Sequence, residues 1–352
     1  MKTILHIIGE SSYDGITIYT TRLIRSLPEY NHKIISMVEG KAITEIQKEN
    51  ICIINLFSSA DFKFYKINKY IKFIRELLKT SFDIIHYHNG GVGTLFLATL
   101  LSKNRVIHHI HSGSISGNNK TYDLTPFQKY GYKILCKFNY NIFVSNHIHN
   151  LYKKTISKIH GNSSVILNSV PFNFKLKEKT NNVVGYLGRV TEEKGISVLV
   201  ELIDSLDKNK SNIKFNIKGE IEKSIYNKLS FLIQNEKVIY EKPSMDVENF
   251  LSKIDILIFP SKATEGLPLV VLEAVSSDVA VIAVKTDWSI EVLGHEYPFL
   301  VENLSISSIL FKIDEYYSGR QKSQISQTHS KILTKYRFDN MINQINDIYK
   351  KI

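Results

Sequence analysis

Short apolar runs alternate with longer amphipathic stretches along the whole chain. Short apolar runs are typical of buried strands, and apolar positions every three to four residues are typical of helices. In the first half the pattern predicts strands at residues 3–8, 33–37, 83–87, 105–110, 141–144 and 164–167, and helices at 16–27, 63–79, 91–101, 126–138 and 145–154. Regular alternation of the two favours an α/β fold with parallel sheets.

A second series of the same kind follows a charged, asparagine-rich stretch. Its predicted strands are 183–187, 213–218, 237–240, 256–259 and 280–284, and its helices are 197–206, 226–235, 247–252, 268–275, 305–317 and 338–349. A chain of 352 residues is long enough for two cores. We therefore predict domains at 1–172 and 183–335, a linker at 173–182 and a closing helical segment at 336–352.

The charge is distributed unevenly between the two predicted domains. Residues 1–172 hold 21 Lys and Arg against 10 Asp and Glu, whereas residues 173–352 hold 24 of each. A basic half attracts polyanions such as nucleic acid, acidic lipid headgroups or a phosphorylated substrate, although compositional drift in a lysine-rich sequence is the plainer alternative.

Cysteine usage and hydropathy indicate the compartment. Cys52 and Cys136 lie far apart without metal-type spacing, so we expect both to be reduced. The first apolar run is too short for a signal peptide, and no run approaches the ~20 residues that span a bilayer. A cytoplasmic protein is the expectation.

The segment 259–284, FPSKATEGLPLVVLEAVSSDVAVIAV, predicts an anion site. A strand ends in a polar loop, Gly266 lets the loop turn, and Pro268 opens a helix as its first residue. The amides of Leu269, Val270 and Val271 would then point outward at the positive end of the helix dipole. Two carboxylates, Glu265 and Glu273, flank this helix start, at a spacing that suits one on a sugar and the other on a ribose. Taken alone, the pair fits a helix cap and a solvated helix residue better, but the surrounding strand, glycine, proline and apolar helix favour the binding site.

The segment 183–195, VVGYLGRVTEEKG, provides cations. A buried strand runs into Gly188 and Arg189, and Lys194 follows five residues later. Arginine and lysine bind phosphate oxygens. Because ligands bind at the carboxyl ends of strands in such sheets, the two cations are placed to neutralise a diphosphate.

Together these segments resemble the retaining glycosyltransferases with the GT-B fold, a family whose members build bacterial capsule, lipopolysaccharide, glycolipid and sucrose. The resemblance covers essentially the whole chain and includes IIGESSYDGITIYTTRLIRSLP, DIIHYHNGGVGTLFLATLL and RVIHHIHS in the first half. It implies two Rossmann-like domains with parallel sheets facing across a cleft. It also implies that the closing segment, KYRFDNMINQINDIYKKI, packs back on the first domain.

The resemblance also implies residue roles. Arg189 and Lys194 would hold the donor phosphates, Glu265 would contact the transferred sugar, and His111 would lie beside its reacting face. The remaining donor-binding residues would be Gly15, Gly188, Gly266, Leu267, Leu269, Val270 and Glu273. Retention without an Asp-x-Asp metal site is implied, so we expect neither a metal nor another cofactor.

Three positions depart from the family pattern. The first-domain loop has one glycine, Gly15, where two are usual. Asp278 and Ala280 stand where the family has Gly and Pro, and Ser169 follows Asn168 in place of Gly. The missing second glycine affects the contact expected between the first-domain loop and the donor phosphates.

Five histidines fall on two predicted neighbouring strands: His86, His88, His108, His109 and His111. Period-two alternation puts His86 and His88 on one face, and His109 and His111 on one face. The favoured interpretation is that they line the cleft and form hydrogen bonds there, with one or two of them purely structural, and a zinc site is the alternative.

The predicted helix 63–79, KFYKINKYIKFIRELLK, has an apolar half and a basic half. It fits either an ordinary sheet-covering helix or a helix lying on an anionic membrane surface. In the family the first domain takes the acceptor, so we expect a glycan or polyprenyl-pyrophosphate-linked acceptor at the inner face of the membrane.

The donor is expected to be a nucleotide diphosphate sugar, with UDP as the base and a hexose or N-acetylhexosamine as the sugar. Three other functions remain open at this point: a nucleotide-sugar epimerase with the same double fold, a sugar-binding protein without catalysis, and a basic nucleic-acid-binding protein. The last is disfavoured because no motif interleaves aromatic and basic residues, and no nucleic-acid partner is expected.

Overall fold

The computed structural model describes residues 1–48, 50–58, 65–102, 105–112, 126–156, 162–171, 182–208, 212–319 and 321–352. Residues 173–181 of the predicted linker and residues 63–64 of the predicted basic helix lie outside these ranges. The chain forms two compact units. Unit 1 contains Met1–Asn168 and Asp339–Ile352, and unit 2 contains Ser169–Phe338.

Unit 1 is built on seven parallel strands. They are β1 (Thr3–Glu10), β2 (Asn31–Val38), β3 (Cys52–Asn55), β4 (Ile84–Tyr87), β5 (Val106–Ile110), β6 (Tyr140–Phe143) and β7 (Ser163–Val165), in the order β3-β2-β1-β4-β5-β6-β7. The helices are α1 (Gly15–Ser26), α2 (Ile43–Lys48), α3 (Tyr65–Lys79), α4 (Val92–Leu101), α5 (Pro126–Phe138), α6 (Asn146–Ile156) and, at the end of the chain, α14 (Phe338–Lys351).

The two faces of this sheet differ in chemistry. On one face Leu5, Ile7 and Ile85 pack with Phe73 of α3 and Leu95 of α4 in an apolar core. Successive side chains of a strand point to opposite faces, so the intervening residues of β1, β4 and β5 point the other way. That second face carries a layer of histidines under Tyr19 of α1 and Tyr349 of α14.

The end of the chain is fixed to unit 1 by polar contacts. Lys2 Nζ donates to the Tyr349 carbonyl at 2.9 Å, and the Tyr30 hydroxyl donates to Asn346 Oδ1 at 2.6 Å. α14 buries an apolar stripe, Met341, Ile342, Ile345, Ile348 and Tyr349. Its spacing of three and four residues is what the sequence pattern predicted for a helix here.

Unit 2 repeats the plan with six parallel strands. They are β8 (Val183–Leu187), β9 (Lys214–Lys218), β10 (Val238–Glu241), β11 (Ile256–Phe259), β12 (Ala280–Val284) and β13 (Leu300–Val301), in the order β10-β9-β8-β11-β12-β13. The helices are α7 (Ile196–Lys208), α8 (Tyr226–Gln234), α9 (Glu248–Leu251), α10 (Leu269–Ser276), α11 (Asp287–Leu293), α12 (Ile306–Tyr317) and α13 (Lys322–Lys335).

Both sheets reverse their strand order at one point. In unit 1 the reversal lies between β1 and β4, and in unit 2 it lies between β8 and β11. Open parallel sheets bind ligands outside the carboxyl ends of the strands at such a point. The prediction of two Rossmann-like units with parallel sheets is confirmed, and each unit has its own candidate edge.

The sequence pattern missed several elements because their signal is weak. β3 is a half-buried edge strand, and β13 has two residues. α13 reads KSQISQTHSKILTK and buries Ile325, His329 and Ile332, so a polar residue occupies one of its core positions. α11 was also missed, and it begins at a capping box between Thr286 and Ser289.

Asp278 shows how the chain tolerates the loss of a family glycine. Its backbone has a φ of 53°, in the left-handed region that glycine adopts most easily. The Asp278 carboxylate accepts from His329 Nδ1 at 3.0 Å, and His329 Nε2 lies 3.1 Å from the Tyr297 hydroxyl. The side chain therefore connects this turn to α13, which a glycine would not do.

Gly195 is the position where unit 2 most clearly requires glycine. Its φ is +85°, and a Cβ there would lie 2.2 Å from the Pro260 carbonyl oxygen. The loop after β8 thus packs directly against the end of β11.

We expect Gly195→Ala to lower the free energy of unfolding of unit 2 by about 2–4 kcal/mol, since it adds both strain and a backbone clash. Urea denaturation measures this. The fluorescence of Trp288, the chain's single tryptophan, follows unit 2, and far-UV circular dichroism follows both units, including the unit that carries the control below. Gly131→Ala in α5 is the control, because a Cβ there meets nothing within 4 Å. It should leave the protein as stable as before or raise stability by up to about 1 kcal/mol. Equal effects of the two variants would contradict the packing described.

Candidate functional site

The carboxyl ends of β8 and β11 bring the predicted donor-site residues of unit 2 together. β8 is followed at once by Gly188 and Arg189, and β11 is followed by the loop that contains Glu265. The two strands are neighbours at the reversal of strand order. Residues far apart in sequence therefore meet at one edge.

An ion pair between Lys194 and Glu265 lies at this edge. Lys194 Nζ is 2.5 Å from Glu265 Oε1, and the two side chains are 21% and 13% exposed. The same oxygen accepts a hydrogen bond from Ser261 Oγ. The sequence assigned the lysine to phosphate and the glutamate to sugar, and the structure places them in direct contact.

The loop that carries Lys194 is held by backbone contacts. The Lys262 amide donates to the Glu193 carbonyl at 3.0 Å, and the Lys194 amide donates to Thr191 Oγ1 at 3.2 Å. Together with the Gly195–Pro260 contact, these bonds fix the position from which the lysine side chain extends.

Gly188 and Arg189 sit on a tight backbone crossing. Gly188 has a φ of +144°, and a Cβ on Gly219 would lie 1.8 Å from the Gly188 carbonyl oxygen, so the two segments approach as only glycines allow. The Arg189 side chain is exposed, while its carbonyl accepts from the Tyr186 hydroxyl at 2.5 Å.

Tyr186 lies between the charges of the site. Burial raises the pKa of its hydroxyl, the nearby Glu265 carboxylate raises this pKa further, and Arg189 opposes the shift. Tyr186 therefore stays protonated and donates its hydrogen bond to the loop. Sequence reasoning did not single out Tyr186 or Ser261, because a tyrosine within a strand and a serine after one have no distinguishing spacing.

The start of α10 corrects one prediction in detail. Pro268 is the residue before the helix, with extended angles (φ −69°, ψ 119°), and Leu269 is the first helical residue. The Val271 amide donates to the Pro268 carbonyl at 3.2 Å, so it does not point outward. The first amides of a helix have no acceptor within the helix, so those of Leu269 and Val270 are the donors that remain available to an anion.

Glu273 is buried, which contradicts the solvated-residue interpretation. It is 2% exposed on a helix whose neighbours Val271, Leu272 and Ala274 are fully buried. Burying a carboxylate is costly unless it is compensated. A helix that only covered a sheet would carry an apolar residue here, so the position favours a binding role. Gly266 and Leu267 precede the helix and are buried too.

Two predicted site residues belong to unit 1. Gly15 begins α1 and is exposed, with nothing within 4 Å of where a Cβ would be. Asp14 caps this helix by accepting from the Thr17 amide at 2.8 Å. His111 directly follows β5, at the carboxyl edge of the sheet.

The predicted facing of the histidines is confirmed. The rings of His86 and His88 stack at 4.2 Å, and those of His109 and His111 stack at 4.3 Å. Four of the five, all except His111, are buried, which corrects the expectation that they line a cleft. Two further histidines that sequence reasoning missed, His6 of β1 and His32 of β2, join the layer.

Burial lowers the pKa of every histidine in this layer. The pKa values of His6, His86, His88 and His109 fall well below the usual value, first through desolvation and then through neighbouring histidines. Desolvation also lowers the pKa of His111 to about 3 and that of His32 below its usual range. Hence the layer is neutral at physiological pH.

The layer contains two groups whose ring nitrogens lie within 4.8 Å of one another: His6, His86 and His88, and His88, His109 and His111. The ring nitrogens that pair within the layer are 2.9–3.1 Å apart. These are hydrogen-bond distances.

A cavity of about 480 Å³ in unit 2 lies at the other edge of the sheet. Its lining includes Lys214, Phe215 and Val238, at the amino ends of β9 and β10. Ligands of such sheets bind at the carboxyl ends, so this cavity is not part of the candidate site.

Family comparisons agree with the geometry. Residues 171–330 match the family "Glycosyl transferases group 1", and residues 13–173 match "Glycosyltransferase Family 4". The chain belongs to the group 1 glycosyltransferases. The first match contains every predicted site residue of unit 2.

Curated relatives are similar over different lengths. The capsular polysaccharide biosynthesis glycosyltransferase CapM of Staphylococcus aureus is 32% identical over 41% of this chain and 40% of its own length. A Salmonella typhimurium lipopolysaccharide 1,2-N-acetylglucosaminetransferase is 28% identical over 48% of each chain. A glycosyltransferase of Methanocaldococcus jannaschii is 23% identical over 100% of this chain and 99% of its own.

Solved structures share the fold. HepE of Anabaena, in complex with UDP and glucose, has a TM-score of 0.78 at 16% identity over 100% of both chains. TarM of S. aureus, in complex with UDP among other ligands, has a TM-score of 0.75 at 13% identity over 99% of this chain and 100% of its own. These similarities show that the chain has the GT-B fold, which consists of two Rossmann-like domains with parallel sheets.

We expect acid to destabilise unit 1 before unit 2. A histidine whose folded pKa lies below its unfolded value of 6.5 stabilises the fold fully above pH 6.5, and this stability is lost as the pH falls toward the folded pKa. As the pH falls through that window, each such histidine lowers the free energy of unfolding by about 1.4 kcal/mol per pH unit. For His108 the window ends at about 4, and for His111 at about 3.

Far-UV circular dichroism detects loss of structure in both units, whereas the fluorescence of the buried Trp288 reports on unit 2 alone. On titration from pH 7 toward 4 the dichroism should therefore change first. A tryptophan change that precedes the dichroism change would contradict the assignment of acid sensitivity to the histidine layer.

Proposed function

We propose that this chain is a retaining, metal-independent glycosyltransferase. It transfers a hexose or N-acetylhexosamine from a UDP-sugar to a glycan or lipid-linked acceptor in cell-surface polysaccharide synthesis. The observation that carries this proposal is the Lys194–Glu265 pair, 2.5 Å apart, at the carboxyl edge of β8 and β11. It stands beside an exposed arginine and a helix start.

The donor's pyrophosphate is an anion that needs compensating charge as the glycosidic bond breaks. Lys194 and the exposed Arg189 provide two positive charges, and the amides of Leu269 and Val270 add the positive end of the α10 dipole. Preorganised donors of this kind stabilise charge that develops in a transition state. In this proposal they take the place of a divalent ion.

The two carboxylates recognise the hydroxyl groups on either side of the pyrophosphate. Glu265, 13% exposed and fixed by Lys194 and Ser261, accepts from the transferred sugar. Glu273, buried on α10, accepts from the ribose.

Retention follows from attack by the acceptor hydroxyl on the face that the leaving group departs from. A phosphate oxygen of the leaving group takes the hydroxyl proton, so no side-chain nucleophile is needed. In unit 1, Gly15 and His111 are the residues assigned to the substrate side. Both lie at the carboxyl edge of the unit 1 sheet, where Gly15 follows β1 and His111 follows β5.

UDP is proposed as the nucleotide because HepE and TarM are both described in complex with UDP. A role in surface polysaccharides is proposed because the relatives' names refer to capsule and lipopolysaccharide synthesis.

We expect Lys194→Met to lower kcat by about 10²–10³-fold, since it removes a group that stabilises the leaving pyrophosphate. Turnover of a panel of UDP-sugars, read as release of UDP in the presence of acceptor, measures this. Arg189→Ala should also abolish the rise in melting temperature that a bound donor causes in the wild-type protein.

Lys262→Met is the matched control, because Lys262 is an exposed lysine in the neighbouring loop that makes its described contact through the backbone. It should retain near wild-type turnover, and wild-type turnover should survive dialysis against EDTA. Equal losses in Lys194→Met and Lys262→Met would point to net charge alone. Loss of turnover in EDTA would overturn the metal-independent proposal.

A membrane-facing role for unit 1 rests on an apolar surface across α3, α4 and α5, here called the α3–α5 surface. Its exposed large apolar side chains are Tyr70, Ile71 and Leu78 of α3, Val92, Phe96, Leu100 and Leu101 of α4, and Tyr130 and Phe138 of α5. α4 carries no charged residue, yet it presents Phe96 and Leu100 to solvent. Extended apolar patches mark interaction sites.

Basic side chains surround this surface. Lys72, Arg75 and Lys79 of α3 and Lys129 and Lys137 of α5 are exposed. Phe73 and Leu77 of the same α3 are buried in the core, so the helix covers the sheet and still presents an apolar edge. Apolar side chains among cations suit a surface of anionic lipid headgroups. No helix among the described residues is long and apolar enough to cross a bilayer.

We expect the double variant Phe96→Ser, Leu100→Ser to bind vesicles of phosphatidylglycerol and phosphatidylcholine about tenfold more weakly in low salt, through loss of buried apolar area. Sedimentation with the vesicles measures this. The control, Phe231→Ser with Phe311→Ser, removes two similarly exposed residues of unit 2 and should bind as the wild type does. A wild-type protein that does not sediment with these vesicles in low salt rules out the membrane role.

A further inference from the structure

Four histidines of unit 1 form one continuous hydrogen-bonded row. His32 Nδ1 is 2.9 Å from His6 Nε2, His6 Nδ1 is 3.1 Å from His88 Nε2, and His88 Nδ1 is 3.0 Å from His111 Nε2. The row crosses the sheet from β2 through β1 and the residue after β4 to the residue after β5. It ends at the candidate substrate edge of unit 1.

The other end of the row is a backbone carbonyl. His32 Nε2 lies 2.9 Å from the Leu27 oxygen. A carbonyl oxygen can only accept, so His32 Nε2 carries a proton. A neutral imidazole has one N–H and one lone pair, and His32 Nδ1 is therefore an acceptor.

The same step repeats along the row. His6 donates from Nε2 to His32, which leaves its Nδ1 to accept from His88 Nε2. His88 Nδ1 in turn accepts from His111 Nε2. All four rings then carry the proton on Nε2, and the lone pair at the end of the row is on His111 Nδ1.

We propose that His32, His6 and His88 are positioning residues that fix the tautomer of His111, so that its Nδ1 is a hydrogen-bond acceptor at the candidate site. The Leu27 carbonyl sets this orientation three rings away from His111. The proposal deepens the function proposed above, on which the substrate role of His111 rests.

A second row in the same layer shows what the carbonyl contributes. His109 Nδ1 is 2.9 Å from His86 Nε2, and His86 Nδ1 is 2.5 Å from the Tyr349 hydroxyl. A hydroxyl can donate or accept, so this row does not have a fixed direction. His109 is thus a natural comparison for His111, because its ring stacks on that of His111 on the same face and its row does not end at a carbonyl.

The fixed tautomer has a chemical consequence. His111 Nδ1 can accept from a sugar hydroxyl or an acetamido N–H, and it cannot donate to a phosphate oxygen. A neutral ring also adds no positive charge beside a sugar carbon that becomes cationic.

The test is a long-range ¹H–¹⁵N correlation spectrum of the full chain labelled with ¹⁵N-histidine at neutral pH, which identifies the protonated nitrogen of each ring. Single histidine variants assign the signals. We expect His32, His6, His88 and His111 all to be protonated on Nε2 alone. A wild-type His111 that is protonated on Nδ1, or on both nitrogens, overturns the proposal.

Two variants of His32 separate control of the tautomer from packing. In His32→Leu the Nε2–H of His6 loses its acceptor. Reversal of the remaining bonds relieves this by moving the last N–H to Nδ1 of His111, a residue that is only half-buried. The Nδ1–H form of His111 should become the major one. In His32→Gln the amide can donate to Leu27 and accept from His6, so His111 should remain protonated on Nε2. If His111 has the same tautomer in both variants, the row does not control the tautomer, and the proposal is contradicted.

Addition of zinc tests whether the histidines bind a metal ion instead. Protein freed of metal with a chelator should give an unchanged histidine spectrum when equimolar Zn²⁺ is added. Stoichiometric binding of Zn²⁺ that shifts the signals of His88, His109 and His111 together would show a metal site in place of the hydrogen-bonded row. The spectra need no substrate, so the expected tautomers in a protein without sugar transfer would refute the proposed function alone. Sugar transfer by a protein in which His111 is protonated on Nδ1 would refute the proposed control of the tautomer alone.

Discussion

The structure depends most on the adjacency of β8 and β11 in a parallel sheet. Because every strand of that sheet ends at the same edge, loops that are separated by some seventy residues of chain meet there, and Lys194 contacts Glu265 at 2.5 Å. The contact requires Gly195, whose missing side chain allows the first loop to lie on the Pro260 carbonyl. The charged pair is held by the sheet and its glycines.

Unit 1 uses the same topology for a different chemistry. Its sheet face instead carries neutral histidines that are joined to one another and ordered by the Leu27 carbonyl. The two units therefore differ in the chemistry of their sheets: unit 2 carries full charges at its carboxyl edge, and unit 1 carries neutral hydrogen-bonding groups on one face.

Much of the fold was predictable because its signals are local. Strands such as β8, β11 and β12 are uninterrupted apolar runs, and their bounds agree with the predicted ranges. α13 was missed because His329 fills a core position that apolar periodicity counts as polar. The structure brings Lys194 and Glu265 into contact, and this mutual pairing was not foreseen. A contact between two charged residues has no signature in either segment alone.

The sequence by itself determined the two series of alternating strands and helices, the cations after β8, the carboxylates around α10 and the basic character of the first half. These properties follow from residue type and spacing. Only the tertiary structure decided that Glu273 is buried, that the Val271 amide is taken by Pro268, and that His6 and His32 complete a row ending at His111. Burial and hydrogen-bond direction depend on which strands become neighbours, and strand order is a property of the whole sheet.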